Sequence, residues 1–333
     1  MHPAPNHVPL VVATRGGFPE LIHPGSIAIV DHAGKLIAGV GDPEGLNFTR
    51  SALKPLQALP FVEDGGMQRF GFTSHELALM CASHSGEQVH VDIVARMLER
   101  IDARESDLQC GCHPPTYFIA TASQMPPGAR WSQLHHNCSG KHSGFLAFCR
   151  MHGAPFANYL APDAPGQRRV REAVQRFAPG VELPMGIDGC SAPNYALPLA
   201  RLAHVFCQLA LGATPALAAL AYAMKRHPDL VSGTARSDLA LMQTGRGDWV
   251  SKIGADGVQA IGVASLGIGI AIRVADGNSR ALHVATATVL QQLGLLDAPE
   301  RTPLAPFAGR ALRNYRGLVV GEMEPRFSLP RLR

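Results

Sequence analysis

Over the first 45 positions short apolar runs, at residues 8–13, 26–30 and 35–40, are separated by turn residues such as Asp31-His32-Ala33-Gly34. That alternation predicts strands and a hairpin entering a sheet. From 51 to 63 the apolar positions recur at helical spacing. Thr73-Ser74-His75-Glu76 then has the spacing of a capping box for a second helix, and Gly86-Glu87 opens an amphipathic helix toward Arg100. Residues 110–130 are punctuated by Pro and Gly and predict loop. Helical patterns resume at 144–151, 167–177, 197–211 and 215–226, the last with Thr214 as cap and Pro215 at the first helical position. Residues 250–264 and 267–274 predict paired strands, Asp276-Gly277 a turn, and 281–295 a helix. Strands at both ends and helices between them predict one α/β domain over residues 1–333, its sheet joining both ends of the chain.

Composition narrows the class. The chain has 333 residues, 46% hydrophobic and 17% charged, which excludes disorder and a fibrous repeat. A formal net charge of +4, without long basic runs, gives no support for a nucleic-acid or membrane partner. No stretch approaches 18 apolar residues. The first residues lack a basic region, and the apolar run 9–13 is too short for a signal core, so a cytoplasmic protein is expected. Seven cysteines are an odd number without disulfide-scaffold spacing, which fits a reducing compartment. Only 5 of the 30 basic residues are lysines, so each lysine merits inspection.

Four segments could carry chemistry. Ser51-Ala52-Leu53-Lys54 is a Ser-x-x-Lys at a helix start, where residues three apart share a face and the dipole favours a developing alkoxide. A desolvated lysine there can serve as base, although a serine and a surface lysine at a helix start are the plainer alternative. Lys252-Ile253-Gly254 has the Lys-x-Gly form that faces the nucleophile in Ser-x-x-Lys hydrolases. Ser83 and Ser85, within Cys81-Ala82-Ser83-His84-Ser85-Gly86-Glu87, are either helix caps or a second nucleophile or relay. Finally, Asn137-Cys138-Ser139-Gly140-Lys141-His142 and Asp188-Gly189-Cys190 set two cysteines in glycine-flanked turns near imidazoles. Spacing alone leaves structural free cysteines and a metal site open there.

In their order these segments resemble one family, the rhizobial-type (class 3) L-asparaginases, from about residue 14 to 295. Arg50-Ser51-Ala52-Leu53-Lys54-Pro55, Cys81-Ala82-Ser83-His84-Ser85, Asn137-Cys138-Ser139-Gly140-Lys141-His142, Asp188-Gly189-Cys190 and Lys252-Ile253-Gly254-Ala255-Asp256 carry it, with Arg15-Gly16-Gly17 and Arg226-His227-Pro228 in support. The resemblance implies an α/β (α+β) fold similar to serine β-lactamases and glutaminases, an antiparallel sheet flanked by helices. It implies hydrolysis of L-asparagine to L-aspartate and ammonia by a homodimer. Ser51 with Lys54 and Ser83 with Lys252 become two Ser-Lys pairs in one pocket, with Ser51 the nucleophile and Lys54 its base. Cys138, Lys141 and Cys190 become ligands of a Zn2+ ion, and Asp188 lies beside one of them. Arg50, His142 and Gly233 join Asp188 as pocket members. A glutaminase or another Ser-x-x-Lys amide hydrolase, a metal-activated water as nucleophile, and a non-catalytic zinc-containing amino-acid-binding protein are the alternatives. Residues from Ala298 onward match nothing in the family pattern.

Overall fold

The computed structural model describes residues 3–330. Contacts group them into two compact units, each assembled from separated stretches of chain. The first comprises the residues up to Ala52, Ala196–Leu211, and Gln243 onward. It holds a fully antiparallel sheet ordered Ala311–Arg313, Val319–Pro325, Val8–Arg15, Phe18–Val30, Ile268–Val274, Val258–Val263 and Trp249–Gly254, with Leu36–Val40 paired beside Phe18–Val30. N- and C-terminal strands are thus neighbours in one sheet, Val11 opposite Pro325. Residues beyond Ala298, which no motif covered, supply its two outer strands.

Two helices cover this sheet. Leu199–Leu211 packs on Phe18–Val30, Val258–Val263 and Ile268–Val274, and Ser279–Gln292 packs on Val8–Arg15, Ile268–Val274 and Val319–Pro325. The first approaches so closely that a Cβ at Gly262 would lie 1.9 Å from Phe206 O, and one at its cross-strand partner Gly269 would lie 1.8 Å from Ala203 O. Only glycine lets backbone meet backbone there.

The predicted strand 250–264 is in fact a hairpin, Trp249–Gly254 and Val258–Val263. The three-residue loop Ala255-Asp256-Gly257, with Asp256 and Gly257 both at positive φ, breaks it. The predicted helix 197–211 starts as strand instead: Pro193–Pro198 precedes Leu199–Leu211, since Pro198 lacks an N–H and disfavours helix in the residue before it.

The second unit, Leu53–Tyr195 with Gly212–Met242, is helical apart from the short pairing of Met185–Ile187 with Pro193, Asn194 and Tyr195. Its centre is the helix Ser139–His152, buried from Ser139 through Cys149 and packed against Lys54–Glu63, Ser74–Met80, Gln88–Arg100 and Pro165–Phe177. It has no exposed face over those residues because helices surround it. Residues 110–130 are largely irregular, as predicted, with one short helix, Tyr117–Ala120. Among the described residues no single helix is long and apolar enough to cross a membrane.

Candidate active site

Three chain segments of the second unit converge on one buried cluster. Lys54 opens the helix Lys54–Glu63, directly after the 3-10 turn Arg50–Leu53. Its side chain is 1% exposed. Its amine donates to the carbonyl of Ala82 and, at 2.9 Å, to Ser83 Oγ. Ser83 itself follows the end of Ser74–Met80, and its backbone N–H is anchored on Val231 O. A lysine amine buried against a hydroxyl and a carbonyl, away from water, is placed to exchange a proton with the serine once the amine is neutral. The sequence suggested Lys54 for Ser51 and Lys252 for Ser83; the serine hydrogen-bonded to Lys54 is Ser83.

Cys138 caps the buried helix Ser139–His152, and Lys141 and His142 lie in its first turn. Cys190 closes the turn after Met185–Ile187, whose backbone folds back through Ser191 N to Asp188 O. Lys141 Nζ lies 2.9 Å from Cys190 Sγ. The contact with Cys190, together with the cations Lys54 and Lys141, holds the Cys138 thiol well below its ordinary range despite complete burial. Burial opposes the Lys141 ammonium, but Cys190 and Cys138 outweigh it and raise its pKa. Cys110 goes the other way: burial first, then the nearby Cys138 and Cys190, push its thiol up to about 12. Cys138, Cys190, Lys54 and Lys141 thus form one buried cluster in which both lysines favour the deprotonated Cys138 thiol.

Two thiols and an amine on a helix terminus and a turn are donors of the type zinc takes. Among the described residues no three His, Cys, Asp or Glu side chains converge elsewhere or here. A cation held in this cluster would therefore need the Lys141 amine, neutral, as its third donor.

Imidazoles line the same region. His84 accepts from Gly86 N at Nδ1 and lies 2.9 Å from Ser139 Oγ at Nε2, and the serine in turn donates to Leu134 O. His136 stacks near His113 and is pushed down to about 4 by burial and by that neighbour. His142, fully buried, is likewise pushed to about 4, by burial first. Its Nδ1 lies 2.6 Å from the Tyr159 hydroxyl. Tyr159 carried no motif; a lone tyrosine in a stretch rich in Ala and Pro offers no spacing to read. Asp188 is partly exposed and caps its own turn through Gly189 N, and its charge supports the Lys141 ammonium. Gly233 has φ +104°, and a Cβ there would lie 2.2 Å from Ser85 Oγ.

The first unit holds the remaining candidates. Ser51 is half-buried in the turn Arg50–Leu53. Arg50 before it has a left-handed backbone, φ +48°, and its guanidinium forms an ion pair with Asp256. Lys252, fully buried on Trp249–Gly254, donates to Ile253 O at 2.8 Å.

The family model described as L-asparaginase II matches residues 11–325. No curated protein matches the chain. Among solved structures, a β-lactamase from Mycobacterium bovis is similar over 80% of this chain and 94% of its own, at 13% identity and a TM-score of 0.36.

Proposed function

The chain belongs to the L-asparaginase II family, and from that premise we propose that it hydrolyses the side-chain amide of L-asparagine, giving L-aspartate and ammonia. The observation that carries a Ser-Lys mechanism is the buried hydrogen bond from Lys54 to Ser83. Amide hydrolysis needs a nucleophile, a base for it, an acid for the departing nitrogen and donors for the oxyanion. Ser51 is the nucleophile, and Lys54 takes its proton. The new Oγ–C bond makes the carbonyl oxygen an oxyanion. As the C–N bond breaks, the proton returns to nitrogen, with Ser83 passing it between Lys54 and the leaving group. Water then repeats the sequence on the acyl ester and releases aspartate. Lys252 lends positive charge near the reacting carbonyl. Arg50, His142 and Asp188 bind the substrate's charged and polar groups.

Cys138, Lys141 and Cys190 would hold zinc, with Lys141 surrendering its proton on binding. Such an ion supplies Lewis acidity that orients a substrate oxygen. About one zinc per chain is expected on metal analysis of the purified protein, falling sharply in Cys138→Ser and Cys190→Ser. Metal-free protein, freshly purified, would remove the assignment. Thiolate donors suit a reducing, cytoplasmic setting, and a homodimer is the expected assembly.

The test is ammonia release from L-asparagine with L-glutamine run beside it. Release from asparagine is expected to dominate. Ser51→Ala is expected to lower it by about 1,000-fold or more, as loss of a nucleophile does. A substantial residual rate would favour an activated water over Ser51, glutamine turnover above asparagine would change the substrate, and silence with both would favour a binding protein.

A further inference from the structure

Of the motif Lys252-Ile253-Gly254-Ala255-Asp256, the chemistry given above uses only the lysine. Asp256 ends it at the tip of the hairpin Trp249–Gly254 and Val258–Val263, with a left-handed backbone at φ +55°. The neighbouring strand, Ile268–Val274, holds that tip. Arg273 Nη1 donates to Asp256 O at 2.5 Å, and Val274 N donates to Gly257 O at 2.8 Å. Gly257, at φ +84°, lies so close that a Cβ there would be 2.2 Å from Val274 O. With its backbone tied at both residues, the turn fixes where the Asp256 side chain begins.

The Asp256 carboxylate makes the ion pair with Arg50 Nη1. Arg50 is also held at its other end. Its backbone lies at φ +48°, a strained state for a residue with a Cβ, which the surroundings must maintain. They are close: a Cβ at Gly254 would lie 2.8 Å from Thr49 O and 3.2 Å from Arg50 Cβ. The strand therefore packs directly on the turn that carries Arg50 and Ser51.

Asp256 is exposed and Arg50 half-buried, and such an ion pair contributes little stability. What it supplies is direction. A guanidinium is a rigid fork of five donors, so one edge can be spent on Asp256 while another meets a ligand. Asp256 by itself would cancel the Arg50 charge. Arg273 restores it: burial first, then the nearby Arg50, lowers the Arg273 pKa, and two cations around one carboxylate leave a net positive charge. The α-carboxylate is the sole anionic group of an asparagine-like amide, and a guanidinium is its natural partner.

We propose that Asp256 and Arg273 are positioning residues that orient Arg50, the chain neighbour of Ser51, to take the α-carboxylate of the substrate, and so select amino-acid amides over amides lacking that group. The identity of the substrate rests on the asparaginase reading given above; the clamp on Arg50 does not.

The test compares turnover of L-asparagine with that of 3-aminopropanamide, the same amide without the α-carboxylate, in the wild-type full chain and in Asp256→Asn. An Asn side chain tolerates the left-handed turn and removes only the charge. For L-asparagine, KM is expected to rise about 10-fold or more while kcat falls less than about 3-fold. With 3-aminopropanamide, kcat/KM is expected to fall less than about 3-fold, and the urea midpoint to stay at its wild-type value. Arg273→Ala is expected to act in the same sense, and Arg273→Lys, which can still donate to Asp256 O, to recover most of the loss. An unchanged KM, a loss carried by kcat, or equal losses with the two amides overturns the proposal. If Arg273→Ala does not fold, Asp256→Asn decides alone. Absence of ammonia release by the wild type would end the asparaginase reading. Calorimetry with L-aspartate and with β-alanine, which lacks the α-carboxylate, then decides the clamp: a wild-type preference for L-aspartate that falls in Asp256→Asn upholds it, and no such preference overturns it.

Discussion

At the scale of the residue, the neighbours that a buried group meets decide whether it becomes chemically special. Cys110 and Cys138 are both buried thiols, yet one is driven up and the other down, because Cys138 has Cys190 and two lysines as neighbours. Gly233 is a different case, in which backbone geometry dictates identity. Its φ of +104° disfavours any side chain, and a Cβ would collide with Ser85 Oγ at 2.2 Å and Glu87 Oε1 at 2.6 Å. Gly233→Ala is expected to cost about 2 kcal/mol or more, measured as a lower urea midpoint with unchanged slope. Its effect on turnover follows from the displaced Ser85-Glu87 segment, which shares a short stretch of chain with Ser83. Sequence alone marked Gly233 only through family likeness; the collision that demands glycine comes from residues nearly 150 positions away.

At the scale of the element, local signals were the most legible. Thr73-x-x-Glu76 forms the capping box its spacing predicts: Thr73 Oγ1 accepts from His75 N, and Glu76 accepts from Thr73 N at 2.8 Å. Thr214 likewise accepts from Leu217 N at the start of Pro215–Arg226. The Glu76 carboxylate, though buried, is held below its ordinary range by Thr73 and Arg100 against the cost of burial. Thr73→Ala is expected to lose about 1 kcal/mol, read as a shifted urea midpoint, with asparagine turnover retained because the cap is remote from the lysines. Where the sequence reading erred, it erred at boundaries. The strand taken as 250–264 folds into two at Asp256-Gly257, and helix 144–151 begins earlier, at Ser139. At the hairpin the apolar runs stand too close on either side of a short turn to be told apart, and Ser139-Gly140-Lys141-His142-Ser143 is too polar and small to extend the apolar period of the helix it opens, so periodicity could not place either boundary.

At the scale of the whole molecule, buried neutral histidines couple stability to pH. Burial is the largest cause lowering His84, His90, His204 and His227, and His136 and His142 reach about 4. In the unfolded chain each returns to about 6.5. Below that pH the unfolded state binds more protons than the folded one, so stability falls as pH drops. Their contribution is complete above about pH 6.5 and is lost progressively down to about pH 4. A urea midpoint clearly lower at pH 5 than at pH 7.5 is the expected result, and equal midpoints would contradict it. The sequence by itself determined most element positions, because periodicity, caps and turns act over a few residues, and its ordered motifs determined the family likeness, which in turn implied the antiparallel sheet flanked by helices and the candidate residue types. It could not supply the strands at one edge of the sheet, residues 319–325, which pair with the first strand across some 300 positions, and residues 311–313, which pair with 319–325 in turn. Nor could it give the bond from Lys54 to Ser83, the descent of the Cys138 thiol or the meeting of Arg50 and Arg273 at Asp256. Those depend on which distant groups share a water-free neighbourhood, and only the folded chain sets that.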